Sequence, residues 1–156
     1  MIRSMLILMT ICLALVGCEA GPIDVGGRVA PLEGTRWRLV KLFGEPVAEI
    51  SKTSFIQLDP KTHRMSGSGP VNQISSSYRL EGGRLTFGII TSTKMAGSDE
   101  ANQLEKDFLD GLKRVQTYRL VGTSLELQNS GMVVAQFVSD EDRQNESSIQ
   151  QQTQTD

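Results

Sequence analysis

The sequence has little of the material from which catalytic and metal sites are usually built. It contains one His, two Cys and one Trp among 156 residues, and aromatic residues make up 5% of the chain. One imidazole is too few for most metal sites and leaves a single residue for His-based nucleophilic catalysis. The formal net charge is −2, and no run of Lys or Arg favours nucleic acid. We therefore expect no metal, no cofactor and no nucleic-acid partner.

Both cysteines lie near the amino terminus. Arg3 precedes an apolar run, residues 5–16, that is too short to cross a bilayer comfortably but suits a signal peptide. The run leads into Leu15-Val16-Gly17-Cys18, which resembles the bacterial lipobox, where cleavage makes the Cys the first residue and acyl chains are attached to it. We predict a signal peptide over 1–17 and lipidation of Cys18. The alternative is an ordinary secretory signal in which Cys18 happens to follow Gly17.

The number of cysteines left after cleavage and the segments on either side of the domain agree with an anchored protein. Cys12 leaves with the signal, so Cys18 has no internal partner, and acylation accounts for a lone thiol in an oxidising envelope. Glu19 is not the Asp that typically retains lipoproteins in the inner membrane, which favours the outer membrane, facing the periplasm. Residues 18–31 are rich in Gly and Pro and are predicted to be the lipidated Cys with a flexible tether. Residues 139–156 are predicted to be a disordered polar tail.

Between tether and tail, residues 32–138 show the pattern of one mainly β (α+β) domain. Partial alternation and turn signals predict strands at 35–42, 54–58, 63–67, 75–80, 84–87, 118–121, 125–127 and 132–138. Gly82-Gly83 and Gly122 mark two hairpins. Short strands with frequent turns predict a small antiparallel sheet that curls into a cracked, barrel-like shape.

One segment, residues 99–115, has helical periodicity instead. Its apolar stripe of Leu104, Phe108, Leu112 and Val115 predicts an amphipathic helix, which Ser98 or Asp99 can cap. We expect this stripe to pack on the sheet as core. A groove helix that binds a partner is the alternative.

Three motifs occur in a characteristic order. They are Leu32-Glu33-Gly34-Thr35-Arg36-Trp37, the run Ser66-Gly67-Ser68-Gly69-Pro70-Val71-Asn72-Gln73 that continues to Gly88, and Thr91-Ser92-Thr93-Lys94-Met95-Ala96. Together they resemble the META domain family of HslJ-like heat-shock envelope proteins over about residues 32–138. The resemblance implies a cracked antiparallel barrel with one helix. The same architecture resembles the pilotin lipoproteins that escort secretin subunits, by analogy of fold alone.

Two departures from the family pattern involve cysteine. The family usually reads Gly-Cys-Asn where this chain has Pro70-Val71-Asn72, and Met-Ala-Cys where it has Met95-Ala96-Gly97. If the family pair lies close in space, this chain has lost any bridge or thiol function there.

The functional hypotheses concern binding more than chemistry. No Gly-x-Ser-x-Gly elbow is present, and His63, near Ser66, reads as a surface residue, so an envelope hydrolase is the least favoured reading. We expect a non-enzymatic, monomeric lipoprotein, attached to the membrane through its lipid, that binds an envelope protein or apolar ligand in stress tolerance or assembly. A pilotin-like escort is the alternative. The possible partner surface comprises Trp37, Asn72, Met95 and Phe108.

Overall fold

The computed structural model describes residues 29–47 and 53–140. Within these ranges the chain forms ten strands and one helix: β1 Arg36–Leu42, β2 Glu45–Pro46, β3 Phe55–Asp59, β4 Arg64–Ser68, β5 Gln73–Glu81, β6 Arg84–Phe87, β7 Thr91–Ser92, α1 Asp99–Lys113, β8 Thr117–Val121, β9 Ser124–Asn129 and β10 Met132–Ser139.

The strands form one antiparallel sheet that closes into a ring. The order is β10-β9-β8-β6-β5-β4-β3-β1-β2, with β7 paired to β5, and β1 also pairs with β10. Strands β6 and β8 share fewer paired residues than any other neighbouring strands in the ring. There Arg84 pairs with Thr117, and the Leu85 amide donates to the Gln116 carbonyl at 3.1 Å. The predicted class, mainly β with one helix, is confirmed.

The predicted hairpins form as two-residue turns. Gly82 and Gly83 connect β5 to β6 with φ of 52° and 82°. Residues that have a Cβ rarely adopt this backbone conformation. Gly122 opens the turn between β8 and β9 with φ of 59°. Glycine therefore marks both of the predicted chain reversals.

The core is filled by aliphatic side chains around a few aromatic rings. Trp37, Phe108 and Phe137 are each 0% exposed, and the ring centroids of Phe108 and Phe137 lie 6.3 Å apart. The helix carries Phe108 into this core and begins at Asp99, after the N-cap residue Ser98, whose hydroxyl accepts the Ala101 amide at 3.3 Å. It ends at Lys113, two residues earlier than predicted.

The ordered domain extends slightly beyond residues 32–138 at both ends. Ala30 is buried, and its amide donates to the Gly122 carbonyl at 3.1 Å. Ser139 is the last residue of β10, and its amide donates to the Thr123 carbonyl at 2.9 Å. Asp140 follows with an ion pair to Arg36 at 2.9 Å. Residues 1–28 and 141–156, which contain Cys18 and most of the predicted tether and tail, lie outside the described ranges.

The ring has two ends that matter for function. Both limits of the described chain meet the β8–β9 turn, so we call this side the terminal end. Within β5, Glu81 is the end nearer to the terminal end and Gln73 is the end farther from it. The strand spans about 20 Å between Glu81 and Ser75. Gln73, β7 and the start of α1 therefore lie on the opposite side, which we call the helix end.

Candidate functional site

The first family motif is a structural clasp at the start of the domain. The Trp37 indole N–H donates to the Leu32 carbonyl at 2.9 Å, and the Gly34 amide donates to the Leu58 carbonyl at 2.8 Å. The Tyr78 hydroxyl donates to the Glu33 carboxylate and to the Asp59 carbonyl. Trp37 thus belongs to the core, and in this conformation its side chain does not reach the surface.

Tyr78 is held as a neutral phenol. Burial and the hydrogen bond to the Glu33 carboxylate both raise the pKa of Tyr78 above its ordinary value, because the phenolate would lose solvation and lie beside a negative charge. The edge of the His63 ring approaches the Tyr78 ring, with centroids 5.9 Å apart. These groups stabilise the clasp.

Asn72 connects two segments at the helix end. Its side chain is largely buried, and its Oδ1 accepts hydrogen bonds from the Thr93 hydroxyl and the Met95 amide, each at 2.8 Å. Asn72 is therefore a brace between the β4–β5 loop and the segment after β7. Met95, which this brace positions, is 62% exposed.

Glu105 is the residue at this end that sequence reasoning missed. It lies in the middle of α1, is 6% exposed, and its Oε2 accepts the Val71 and Asn72 amides at 3.1 and 3.4 Å. Its Oε1 has no hydrogen-bond partner among the described residues. Gly69 leaves room for this carboxylate, since a Cβ there would lie 2.2 Å from Oε2. Glu105 therefore ties the β4–β5 loop to the helix.

The two positions at which family cysteines are absent are adjacent in space. A Cβ built at Gly97 would lie 2.7 Å from Cγ2 of Val71 and 3.4 Å from its Cγ1. The valine methyl groups occupy the space that a second side chain would need. The loss of both cysteines is therefore one coupled change at a single contact.

A shallow, open cavity lies at the helix end, beside β7. Its volume is about 310 Å³, and we call it the hydroxyl recess. The lining residues are Gln73, Ile74, Ser75, Thr91, Ser92 and Thr93. The cavity lies at the small end of the range for ligand sites, and four of its six lining residues carry a hydroxyl group.

Hydrogen bonds fix the wall of the recess. Ser75 and Thr91 are paired in register, with their hydroxyl oxygens 3.1 Å apart, and the Thr91 hydroxyl also donates to the Ser75 carbonyl at 3.1 Å. Arg64 of β4 donates from Nη2 to the Ser75 hydroxyl at 3.3 Å. Thr93 is engaged twice, since it accepts the Gln73 amide at 3.2 Å and donates to Asn72. Exposed Ile89 and Met95 lie on either side of β7 along the chain.

The groove required by the pilotin-like alternative would be lined by Phe87, Leu104 or Phe108. Phe108 is fully buried against Phe137, and Phe87 and Leu104 are half-buried and packed against the core. Phe108 therefore serves the core, as the amphipathic pattern of the helix indicated.

Two serine hydroxyls that a hydrolase could use as nucleophiles are instead bonded to backbone carbonyls. Ser68 donates to the Gly69 carbonyl at 3.0 Å, and Ser76 donates to the Ser77 carbonyl at 2.9 Å. His63 is exposed, and its backbone has a φ of 50° in the turn before β4. In residues 29–47 and 53–140, no hydrogen bond joins the His63 ring to a serine hydroxyl.

Metal-binding clusters and membrane-spanning helices are both absent from residues 29–47 and 53–140. No group of three or more His, Cys, Asp or Glu side chains there could hold a metal ion. No helix in the same part of the chain is long and apolar enough to cross a membrane. Cys18, the predicted lipidation site, lies outside it.

A ring of antiparallel strands, braced at one end by a single helix with a buried carboxylate, defines a small mainly β domain. A sequence model of the META domain matches residues 30–142. The chain therefore belongs to the META domain family. No curated protein matches it significantly.

Solved structures share the fold. One is an NMR structure of a protein from Burkholderia xenovorans, with 22% identity and a TM-score of 0.57 over 72% of this chain and 90% of that one. Another is a crystal structure of a DUF4847 family protein from Bacteroides vulgatus ATCC 8482, with 17% identity and a TM-score of 0.52 over 69% and 93%. At these identities the likeness concerns the fold alone.

Proposed function

We propose that this META-domain protein is a lipoprotein of the bacterial envelope that acts by binding, in stress tolerance or envelope assembly. The observation that carries the proposal is Leu15-Val16-Gly17-Cys18 at the end of the apolar run in residues 5–16. Three acyl chains on one residue exceed what stable membrane attachment requires. The outer membrane, with the domain in the periplasm, is the location that Glu19 favours.

The positions of the chain ends are compatible with an anchored domain. The chain enters the domain at Ala30, on the terminal end, beside the β8–β9 turn. The hydroxyl recess lies at the helix end, on the other side of the ring. A domain tethered through Ala30 can therefore present the recess, with the exposed Ile89 and Met95, away from the membrane.

Binding is favoured over catalysis by what surrounds the polar groups. The hydroxyls of Ser68, Ser75 and Ser76 bond to carbonyl, hydroxyl or guanidinium groups, and none is paired with an imidazole base. Since a serine nucleophile needs an adjacent base, the arrangement supports recognition of a partner. A pilotin-like escort is the less favoured function, because Phe108 is used by the core.

The anchor is tested by metabolic labelling with radioactive palmitate in a bacterial host. We expect label in the wild-type chain and none in Cys18→Ala. The matched control is Cys12→Ala, which removes the other cysteine, inside the signal, and should label like the wild type. Equal labelling of all three proteins, or loss of label in Cys12→Ala alone, would contradict the proposal.

A further inference from the structure

We propose that the hydroxyl recess binds a carboxylate-bearing glycan of the cell wall, an inference that rests on the proposed envelope location. The recess lies beside Ser75 and Thr91, whose hydroxyl oxygens lie 3.1 Å apart. Small polar side chains on neighbouring strands form a wall that matches the many hydroxyl groups of a sugar. None of the six lining residues is acidic.

The hydrogen-bond directions leave acceptor lone pairs on the hydroxyl groups of the recess and spare donors on Arg64 and Gln73. The Thr91 hydroxyl donates to the Ser75 carbonyl, so in the bond between the two hydroxyls the Ser75 proton points to Thr91. Arg64 uses one of its five N–H groups on Ser75 and retains the others. The side-chain amide of Gln73 is a further donor, and its hydrogen bond to the Ser68 hydroxyl is long at 3.5 Å. A ligand whose hydroxyl groups donate to Ser75 and Thr91, and whose carboxylate accepts from Arg64, fits this arrangement.

The charge at the rim favours an anion. Arg64 has no carboxylate within 4.0 Å among residues 29–47 and 53–140, where the ion pairs involve Arg36, Arg38, Lys113 and Arg119. The register neighbour of Arg64 is Asp59, and the carboxylate of Asp59 accepts the Lys61 amide and the Thr62 hydroxyl, each at 2.8 Å. The guanidinium is therefore available to a carboxylate of the ligand, for which its geometry is suited.

The position of the recess selects the glycan source. A domain that is anchored in the inner leaflet of the outer membrane by a flexible tether entering at Ala30 can turn its helix end away from the lipid. Peptidoglycan, whose stem peptides carry carboxylates, lies on that side, whereas lipopolysaccharide occupies the opposite leaflet. The recess can therefore bind the cell wall while the acyl chains are inserted in the membrane.

The test is sedimentation of the purified, detergent-solubilised full protein with peptidoglycan sacculi. We expect the wild type to sediment with sacculi and not with insoluble cellulose, a neutral glycan. Arg64→Gln should weaken binding about tenfold or more, because it removes a charge-assisted hydrogen bond. The matched control is Arg79→Gln, which loses the same charge from an exposed position farther along β5 and should bind like the wild type.

A second variant and a second surface keep the test decisive. Thr91→Val retains the shape of the side chain and removes one hydroxyl, so it should also weaken binding while the unfolding midpoint stays close to that of the wild type. Absence of sedimentation by the wild type, equal binding by Arg64→Gln, or binding to lipopolysaccharide vesicles in place of sacculi would overturn the proposal. The assay needs no acyl chain and palmitate labelling needs no recess, so the two proposals fail separately.

Discussion

Restoring cysteine at both departures from the family pattern should create a disulfide. A Cβ at Gly97 would lie 2.7 and 3.4 Å from the two methyl carbons of Val71, which places the two Cβ positions near the separation of about 3.5–4.5 Å that a disulfide requires. We therefore predict that Val71→Cys with Gly97→Cys forms a bridge in the folded protein. Cys12 and Cys18 are replaced by serine in this background so that only the new pair is measured.

The magnitude follows from the loop that the bridge closes. Cross-linking positions 71 and 97 closes a loop of about 27 residues, which corresponds to about 3.5 kcal/mol in the chain-entropy account. For a domain of this size that is a rise of about 10–20 °C in the unfolding midpoint. Comparing the oxidised and reduced forms of the same variant cancels the cost of losing the valine methyl groups.

The assays are thiol titration of the native protein and thermal unfolding with and without reductant. Free thiols that persist in the folded protein under oxidising conditions would refute the adjacency of the two positions. A bridge that forms and lowers the midpoint would show that closure strains the β4–β5 loop. The single variant Gly97→Ala is the internal check: its Cβ meets Val71, so we expect it to lower the midpoint.

Three further predictions concern stability. Glu105→Ala leaves the Val71 and Asn72 amides without their acceptor and should cost about 2 kcal/mol or more in urea unfolding, whereas the exposed Glu100→Ala should cost well under half of that; equal costs would contradict the brace. The raised pKa of Tyr78 means that folding favours the protonated phenol, so its contribution is complete below the ordinary value of 10.0 and is lost as pH rises beyond it. Between about pH 9 and 11.5, the range in which tyrosine ionises, the free energy of unfolding of Tyr78→Phe should therefore fall less than that of the wild type. Parallel curves of unfolding free energy against pH would refute this. Trp37→Phe removes the donor to the Leu32 carbonyl and should cost about 2 kcal/mol in the same urea assay, and no change would mean that the clasp is not stabilising.

The repeating parts of the fold could be predicted from the sequence because each has a local cause. The glycine pair at 82 and 83 specifies its hairpin through backbone conformation alone, and the apolar spacing in 99–115 specifies the buried side of α1. The two-residue strands β2 and β7 carry no such signal, since a strand of that length exists only through its neighbour.

The helix end depends on contacts between distant residues, and there the sequence was less informative. Glu105 lies on the buried side with Phe108 and Leu112, but a carboxylate is not counted as core unless its partners are known. Those partners are backbone amides 33 and 34 positions away, which no periodicity indicates. Asn72 and Met95 were selected as a possible surface, and the structure brings them together through one hydrogen bond. The recess residues lie in two of the sequence motifs, 66–88 and 91–96, but the sequence does not show that these motifs meet, because they come together only when β5 pairs with β7.

The central claim is that Cys18 becomes the acylated first residue of the mature protein. Intact-mass spectrometry of the protein purified from bacterial membranes measures this directly. The account predicts one species whose peptide portion is residues 18–156, with added mass equal to a diacylglyceryl group and an amide-linked acyl chain. A protein that begins at Cys18 without added mass, begins at another residue, or keeps residues 1–17 would contradict it.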